Sequence, residues 1–190
     1  LLRTYNLKKV LKFDKEKMQI TVESGMLLYE LNMYLKEYGS AIPILPAIPW
    51  QSVGGALSTS THGSVTNRGS MSSLIVDITM VLSDGSHKTY SSKDKEFEAV
   101  VTSLGCLGIV YSVTLRYVPA FAIKHTTKML TLTEFNKEMN DVKNRNKYVY
   151  MQGYVYPRMN GKNVKVYYRE IITKFDKNKF ISYYYSRIGN

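Results

Sequence analysis

Residues 52–64, SVGGALSTSTHGS, hold three glycines, six hydroxyl side chains and one histidine, and no Asp, Glu, Lys or Arg. Glycine at Gly54, Gly55 and Gly63 permits positive φ and removes side-chain bulk, so successive backbone N–H groups can converge on one concavity. The hydroxyls of Ser52, Ser58, Thr59, Ser60, Thr61 and Ser64 add donors at short reach. Many neutral donors with room for close backbone approach suit a pyrophosphate. A purely structural loop uses the same residue types, and the segment alone leaves both readings open. It lacks the Gly-Lys-Ser/Thr ending of a P-loop, and it is not the strand-to-helix Gly-x-Gly-x-x-Gly turn of a dinucleotide fold.

Little else in the chain offers chemistry by spacing. His87 and His125 stand on strand-like segments away from residues 52–64 and read as surface or hydrogen-bonded histidines. The one cysteine, Cys106, excludes an intrachain disulfide framework and a multi-cysteine zinc site. In LGCLG it reads as a small packed hydrophobe, and a reducing compartment is the mild inference.

The elements that must position the glycine-rich segment are legible on both sides of it. VLKFD and QITVESG alternate apolar and polar residues around KEKM, a hairpin pattern. From Met26 the period changes: Leu27, Leu28, Leu31, Tyr34, Leu35 and Tyr38 share one helical face, with Gly39 at a C-cap position. Pro43, Pro46 and Pro49 then enforce an extended path into residue 52. Downstream, LIVDITMVL and HKTYS flank Ser83-Asp84-Gly85 as a strand, turn and strand. KEFEAVVTSLG predicts a short helix stopped by Gly105, and GIVYSVTLRYV a strand ending at Pro119. Beyond it, FAIKHTTKMLTL is strand-like. Thr131 and Glu134 have capping-box spacing ahead of one helix through EFNKEMNDVKN. YVYMQGYVYP and VKVYYREI form a hairpin around Asn160-Gly161, and FISYYYSRI supplies a last strand or helix. Interleaved strands and helices with a substantial sheet argue for an α+β or α/β chain.

With 190 residues, 44% hydrophobic and 22% charged, the chain reads as globular and long enough for a real core. No apolar run approaches the roughly 20 residues of a membrane span, so it reads as soluble. The formal charge of +11 is uneven: residues 1–120 carry 12 Lys/Arg against 10 Asp/Glu, and residues 121–190 carry 14 against 5. A basic tail of this kind could attract nucleic acid, with Lys162, Lys165 and Arg169 on phosphates and Tyr167 and Tyr168 as stacking platforms. The lysines follow no recognition motif, however, and a solvated lysine-rich surface is the plainer reading.

Four stretches, in order, resemble the FAD-linked oxidases of the vanillyl-alcohol-oxidase superfamily, nearest the sugar-lactone (gulonolactone or arabinonolactone) and alditol oxidase branch. NLKKVLKFDKEKMQITVESGMLLYELNMYLKEYG is similar to the strands and helix that follow the family's first flavin loop. LPAIPWQSVGGALSTSTHGS looks like its second flavin loop. LIVDITMVLSDGS resembles the next strand pair, and SLGCLGIVYSVTLRYVP the strand that closes the flavin domain.

The resemblance implies an α+β chain. Residues 1–119 would be a PCMH-type FAD-binding domain lacking its first flavin loop, and residues 120–190 the truncated start of a substrate, or cap, domain. It implies FAD as cofactor and a small polyhydroxy substrate, a sugar lactone or polyol whose CH–OH group is oxidised by hydride transfer to flavin. Cofactor contacts would come from Ser52, Val53, Gly54, Gly55, Ser58, Thr59, Thr61, His62, Gly63 and Ser64, mainly through backbone, and from Gly108, Ile109 and Val110. His62 stands open between a flavin-side polar group, a loop anchor and an acid/base. No catalytic residue is assigned, because the family's covalent-flavin histidine loop and its catalytic Glu, Arg and Lys motifs have no counterpart here. That absence leaves a second reading, an inactive flavoprotein-fold module, and a third, a basic nucleic-acid-associated module.

Overall fold

The computed structural model describes residues 3–65, 69–159 and 161–172. The chain divides into two compact units, Leu1–Ala120 and Phe121–Asn190.

The first unit is built on an antiparallel sheet. Strands β1 (Val10–Asp14), β2 (Gln19–Glu23), β4 (Ile75–Val81), β5 (His87–Ser91) and β6 (Ile109–Arg116) lie in the order β1-β2-β6-β4-β5. Strict alternation gives the sheet two different faces. Ile20, Val22, Ile78, Met80, Val113 and Leu115 are buried in the core. The other face carries short polar side chains, with Thr21 against Thr114 and Thr79 against Thr89, each hydroxyl pair 2.8 Å apart. Helix α1 (Leu28–Glu37) lays Leu28, Leu31 and Leu35 into that core. Each such burial contributes roughly 2 kcal/mol.

The helix starts where the Glu30 carboxylate accepts the Leu27 N–H at 2.8 Å. It stops at Gly39, whose φ of +64° turns the chain while its N–H donates to the Lys36 carbonyl. The short strands β3 (Ser40–Ala41) and β7 (Val118–Pro119) then pair antiparallel. Helix α3 (Phe97–Val101) ends earlier than its pattern predicts. Leu104 and Gly105 both take positive φ, so the turn begins before the glycine that was expected to stop the helix.

The second unit is a three-stranded antiparallel sheet, β8 (Ala122–Leu130), β10 (Val164–Ile172) and β9 (Tyr150–Val155), in that order. The expected capping box is present: Thr131 Oγ1 accepts from Glu134 N–H, and the Glu134 carboxylate accepts from Thr131 N–H at 2.8 Å. These hydrogen bonds hold the Glu134 carboxyl below the usual carboxylate range. The single expected helix is two, α4 (Leu132–Asn140) and α5 (Val142–Lys147). Asp141 breaks it by turning extended and using its carboxylate to cap Lys143 N–H at 2.8 Å.

Phe135 and Met139 of α4 pack on Leu130, Met151, Val164, Val166 and Tyr168. Tyr168 is fully buried and donates its hydroxyl to Glu138, so one of the two stacking platforms expected from sequence is not available. Burial and that hydrogen bond push its hydroxyl far above the ordinary tyrosine range. At the hairpin tip Tyr156 N–H donates to the Asn163 carbonyl. Asn160 and the FISYYYSRI segment lie outside the described residues.

Gly153 shows how closely α4 lies on this sheet. A Cβ there would stand 2.7 Å from two atoms of the Phe135 ring. Gly153→Ala is expected to destabilise the unit by about 1–3 kcal/mol. Denaturant unfolding checks this, and adding Phe135→Leu should recover part of the loss.

Candidate cofactor site

Residues 52–64 do not form an extended loop. Ser52 caps helix α2 (Val53–Ser58), its Oγ accepting Gly55 N–H at 3.2 Å, and Val53, Ala56 and Leu57 enter the core. The first-turn donors are spent inside the protein. Val53 N–H donates to Met26 O and Gly54 N–H to Ser24 O, both at 2.8 Å. The expectation that Gly54, Gly55 and Gly63 take positive φ is not met: none is among the residues with positive φ.

Close approach is the reason for two of these glycines instead. A Cβ on Gly54 would lie 2.8 Å from Ser24 Cβ, and one on Gly63 would lie 2.4 Å from the Leu45 carbonyl oxygen. Gly55 differs. It is exposed, and its Cβ would meet only Ser52 Oγ, at 3.0 Å.

After α2 the chain coils over its own C-terminus. Thr61 N–H donates to Ala56 O at 2.9 Å, and Thr59 Oγ1 to Gly55 O at 3.0 Å while also lying 3.2 Å from Thr61 Oγ1. The turn is tight enough to place Ser60 at φ +53°. His62 is exposed, and its Nδ1 lies 3.2 Å from the carbonyl of its neighbour Gly63. A contact that local ties the ring to its own loop and to no second element. Ser64 is half-buried.

The structure brings the two sequence-predicted segments together at both ends of α2. At the N-terminal end, Gly54 bonds to the Ser24 carbonyl, and Ser24 N–H bonds to Tyr111 O on β6. At the other end, Leu104 N–H donates to Ser58 O at 3.2 Å. Gly108 enters β6 at φ +146°, and a Cβ there would stand 2.8 Å from Val81 O. Ile109 is 40% exposed, while Val110 turns into the core. Val110 and Val53 therefore lie beneath this surface and present no side chain to it.

Sequence reasoning missed four residues that pack around α2 and its loop. Leu45 offers only a carbonyl, and Ser72 fixes α2 from below by donating to Leu57 O at 2.9 Å. Ser24 and Ser103 flank the two ends of α2 with buried hydroxyls that have no hydrogen-bond partner. Nothing in VESG or VTSLG marks these serines. Cys106 is exposed, contrary to its reading as a packed hydrophobe, in a loop that also exposes Leu104 and Leu107.

Beside α2, the described residues thus place the hydroxyls of Thr59 and Thr61 on one flank and the exposed Leu104, Leu107 and Ile109 on the other. A cleft of about 570 Å³ lies elsewhere, lined by Phe13, Tyr38, Tyr117 and Pro119 among others. It contains none of the predicted site residues and owes its shape to aromatic packing, with Phe13 and Tyr117 stacked at 5.2 Å.

Residues 1–91 match the family described as an FAD binding domain. Residues 1–91 thus carry an FAD binding domain. Over 130 residues it is 37% identical to L-gulonolactone oxidase of Mus musculus, a match covering 67% of this chain and 30% of that protein. Over 141 residues it is 36% identical to D-arabinono-1,4-lactone oxidase of Saccharomyces cerevisiae, covering 73% and 27%. The chain therefore spans less than a third of these relatives.

Among solved structures, alkyldihydroxyacetonephosphate synthase superposes with a TM-score of 0.76 at 16% identity, over 88% of this chain and 37% of that one. Cholesterol oxidase from B. sterolicum superposes with a TM-score of 0.74 at 18% identity, over 90% and 35%. Both likenesses concern the α+β fold alone. FAD is the cofactor class of this family, and the hydroxyls of Thr59 and Thr61, with the partnerless buried hydroxyls of Ser24 and Ser103, fit a group that needs many neutral contacts.

Proposed function

We propose that the chain supplies the cofactor-holding part of an FAD-dependent oxidoreductase acting on a CH–OH group of a sugar lactone. In this reading residues 1–119 belong to the FAD-binding domain and residues 120–190 begin the substrate-binding cap. The observation that carries the proposal is the 36–37% identity to two sugar-lactone oxidases over 130 and 141 residues, beside the FAD binding domain match over residues 1–91, which includes α2.

FAD, when bound, supplies a ring that accepts hydride, while the protein contributes binding and orientation. Gly55 would let the cofactor approach the helix backbone. Ser58, Thr59, Thr61, His62, Gly63 and Ser64 would surround one edge, and Gly108 and Ile109 another. Ser52, Val53, Gly54 and Val110 act through position, since Val53 and Gly54 have no N–H to offer and Ser52 Oγ is engaged as a cap. The exposed Leu104, Leu107 and Ile109 would exclude water beside a planar ring system.

The test is the absorbance spectrum of the purified full-length protein followed by anaerobic addition of L-gulonolactone or D-arabinono-1,4-lactone. Flavin bands that bleach on addition support the proposal. A colourless protein, or bands unchanged by either lactone, contradicts it.

A further inference from the structure

The β8–β10–β9 sheet has one face covered by α4 and a second that carries a different chemistry. Register places Tyr154 directly opposite Lys165, and Gln152 and Thr127 on either side of Tyr167. Tyr154 and Tyr167 meet edge to face at 5.6 Å, and Lys165 Nζ lies 5.4 Å from the Tyr167 ring centroid. Gln152 Nε2 donates to Tyr154 Oη at 2.8 Å, which fixes that ring. Tyr154 is 46% exposed.

The sequence positions that share this face, alternate residues through 123–129, 150–154 and 165–171, include no Asp or Glu. The covered face is the opposite. There Lys128 pairs with Glu138 at 3.1 Å and Lys147 approaches Glu170 at 3.9 Å. Among the described residues Lys165 makes no ion pair. Two aromatic rings, a lysine without a carboxylate and an amide held in place form a surface for a ligand that is part apolar, part hydroxylated and negatively charged.

We propose that this face binds a sugar acid, its hydroxylated carbon chain lying on Tyr154 and Tyr167 and its carboxylate on Lys165. The CH groups of such a ligand meet an aromatic face, its hydroxyls meet Gln152 and Tyr154 Oη, and its charge meets the unpaired ammonium. A neutral lactone shares the first two contacts and lacks the third. The choice of a sugar skeleton rests on the oxidoreductase reading above; the cationic and aromatic character of the face does not. A nucleic acid would need stacking surfaces in series, and the burial of Tyr168 removes one of them.

The experiment is titration calorimetry of the full-length protein with L-gulonate, L-gulonolactone and a single-stranded oligothymidylate at about 0.15 M salt. The same preparations are assayed for bound flavin by absorbance. Gulonate is expected to bind more tightly than the lactone. Lys165→Gln should weaken gulonate about fivefold and leave the lactone within about twofold. Tyr154→Leu should weaken both about tenfold, whereas Tyr154→Phe, which keeps the ring, should weaken them less.

Wild-type affinity in both Lys165→Gln and Tyr154→Leu overturns the proposal. So does absence of gulonate binding, or oligonucleotide binding that is tighter than gulonate and lost in the same variants. Because flavin content is read separately, a yellow protein that ignores gulonate sinks this inference alone. A colourless one that binds it sinks the oxidoreductase reading alone.

Discussion

Gly63→Ala is expected to yield a full-length protein without bound FAD and with a loosened loop over residues 59–64. The added methyl would sit 2.4 Å from the Leu45 carbonyl oxygen, and a backbone atom between Pro43 and Pro46 cannot swing aside as a side chain end can. The loop must move instead, carrying His62 and Ser64 with it and breaking the coil in which Thr61 returns to Ala56. A loss of about 3 kcal/mol is the expected scale for forced overpacking against backbone. Urea unfolding measures the stability, and the ratio of flavin to protein absorbance measures the cofactor. Wild-type values of both would show that Gly63 is not a fixed contact.

Gly108→Ala is expected to act from the other side of α2. Its φ of +146° lies in a region that side chains oppose, and the new Cβ would stand 2.8 Å from Val81 O, across the β4–β6 ladder. Strain and clash together are expected to cost about 2–4 kcal/mol. The start of β6 would shift, and with it the loop through Leu104 that holds Ser58. Weakened FAD retention should accompany the lower unfolding midpoint. Retained FAD at a normal midpoint would mean that this entry to β6 adapts without consequence for the site.

Most strands could be read from the sequence because each shows only one face to the core. VLKFD and QITVE alternate, and they pair. Leu28, Leu31 and Leu35 recur at helical spacing, and they are buried. What sequence reasoning could not see was decided by contacts far apart in the chain. VGGALS carries two glycines that argue against a helix, yet it is one: Ser52 caps it, and Val53, Ala56 and Leu57 gain enough burial to outweigh the glycine penalty of about 1 kcal/mol each.

The glycines of residues 52–64 were legible as important and misread as to cause. Their meaning depends on Ser24 and Leu45, which no local pattern connects to them. EFNKEMNDVKN has continuous helical composition, and the break at Asp141 comes from a side chain that prefers to cap. Tyr167 and Tyr168 look alike in sequence, and a period of two separates them onto opposite faces.

Gly55 offers the most direct test that a cofactor lies along α2. No other part of the described protein crowds the position, since a Cβ would meet only the cap hydroxyl of Ser52, and the residue is exposed. A helix former there should be neutral or mildly favourable for folding, within about 1 kcal/mol. The measurement is bound flavin per protein in purified Gly55→Val beside Gly55→Ala, with unfolding midpoints for both. If FAD lies along α2, both variants keep wild-type stability, Gly55→Ala holds near-normal flavin and Gly55→Val little or none. A full complement of FAD in a stable Gly55→Val protein would contradict it.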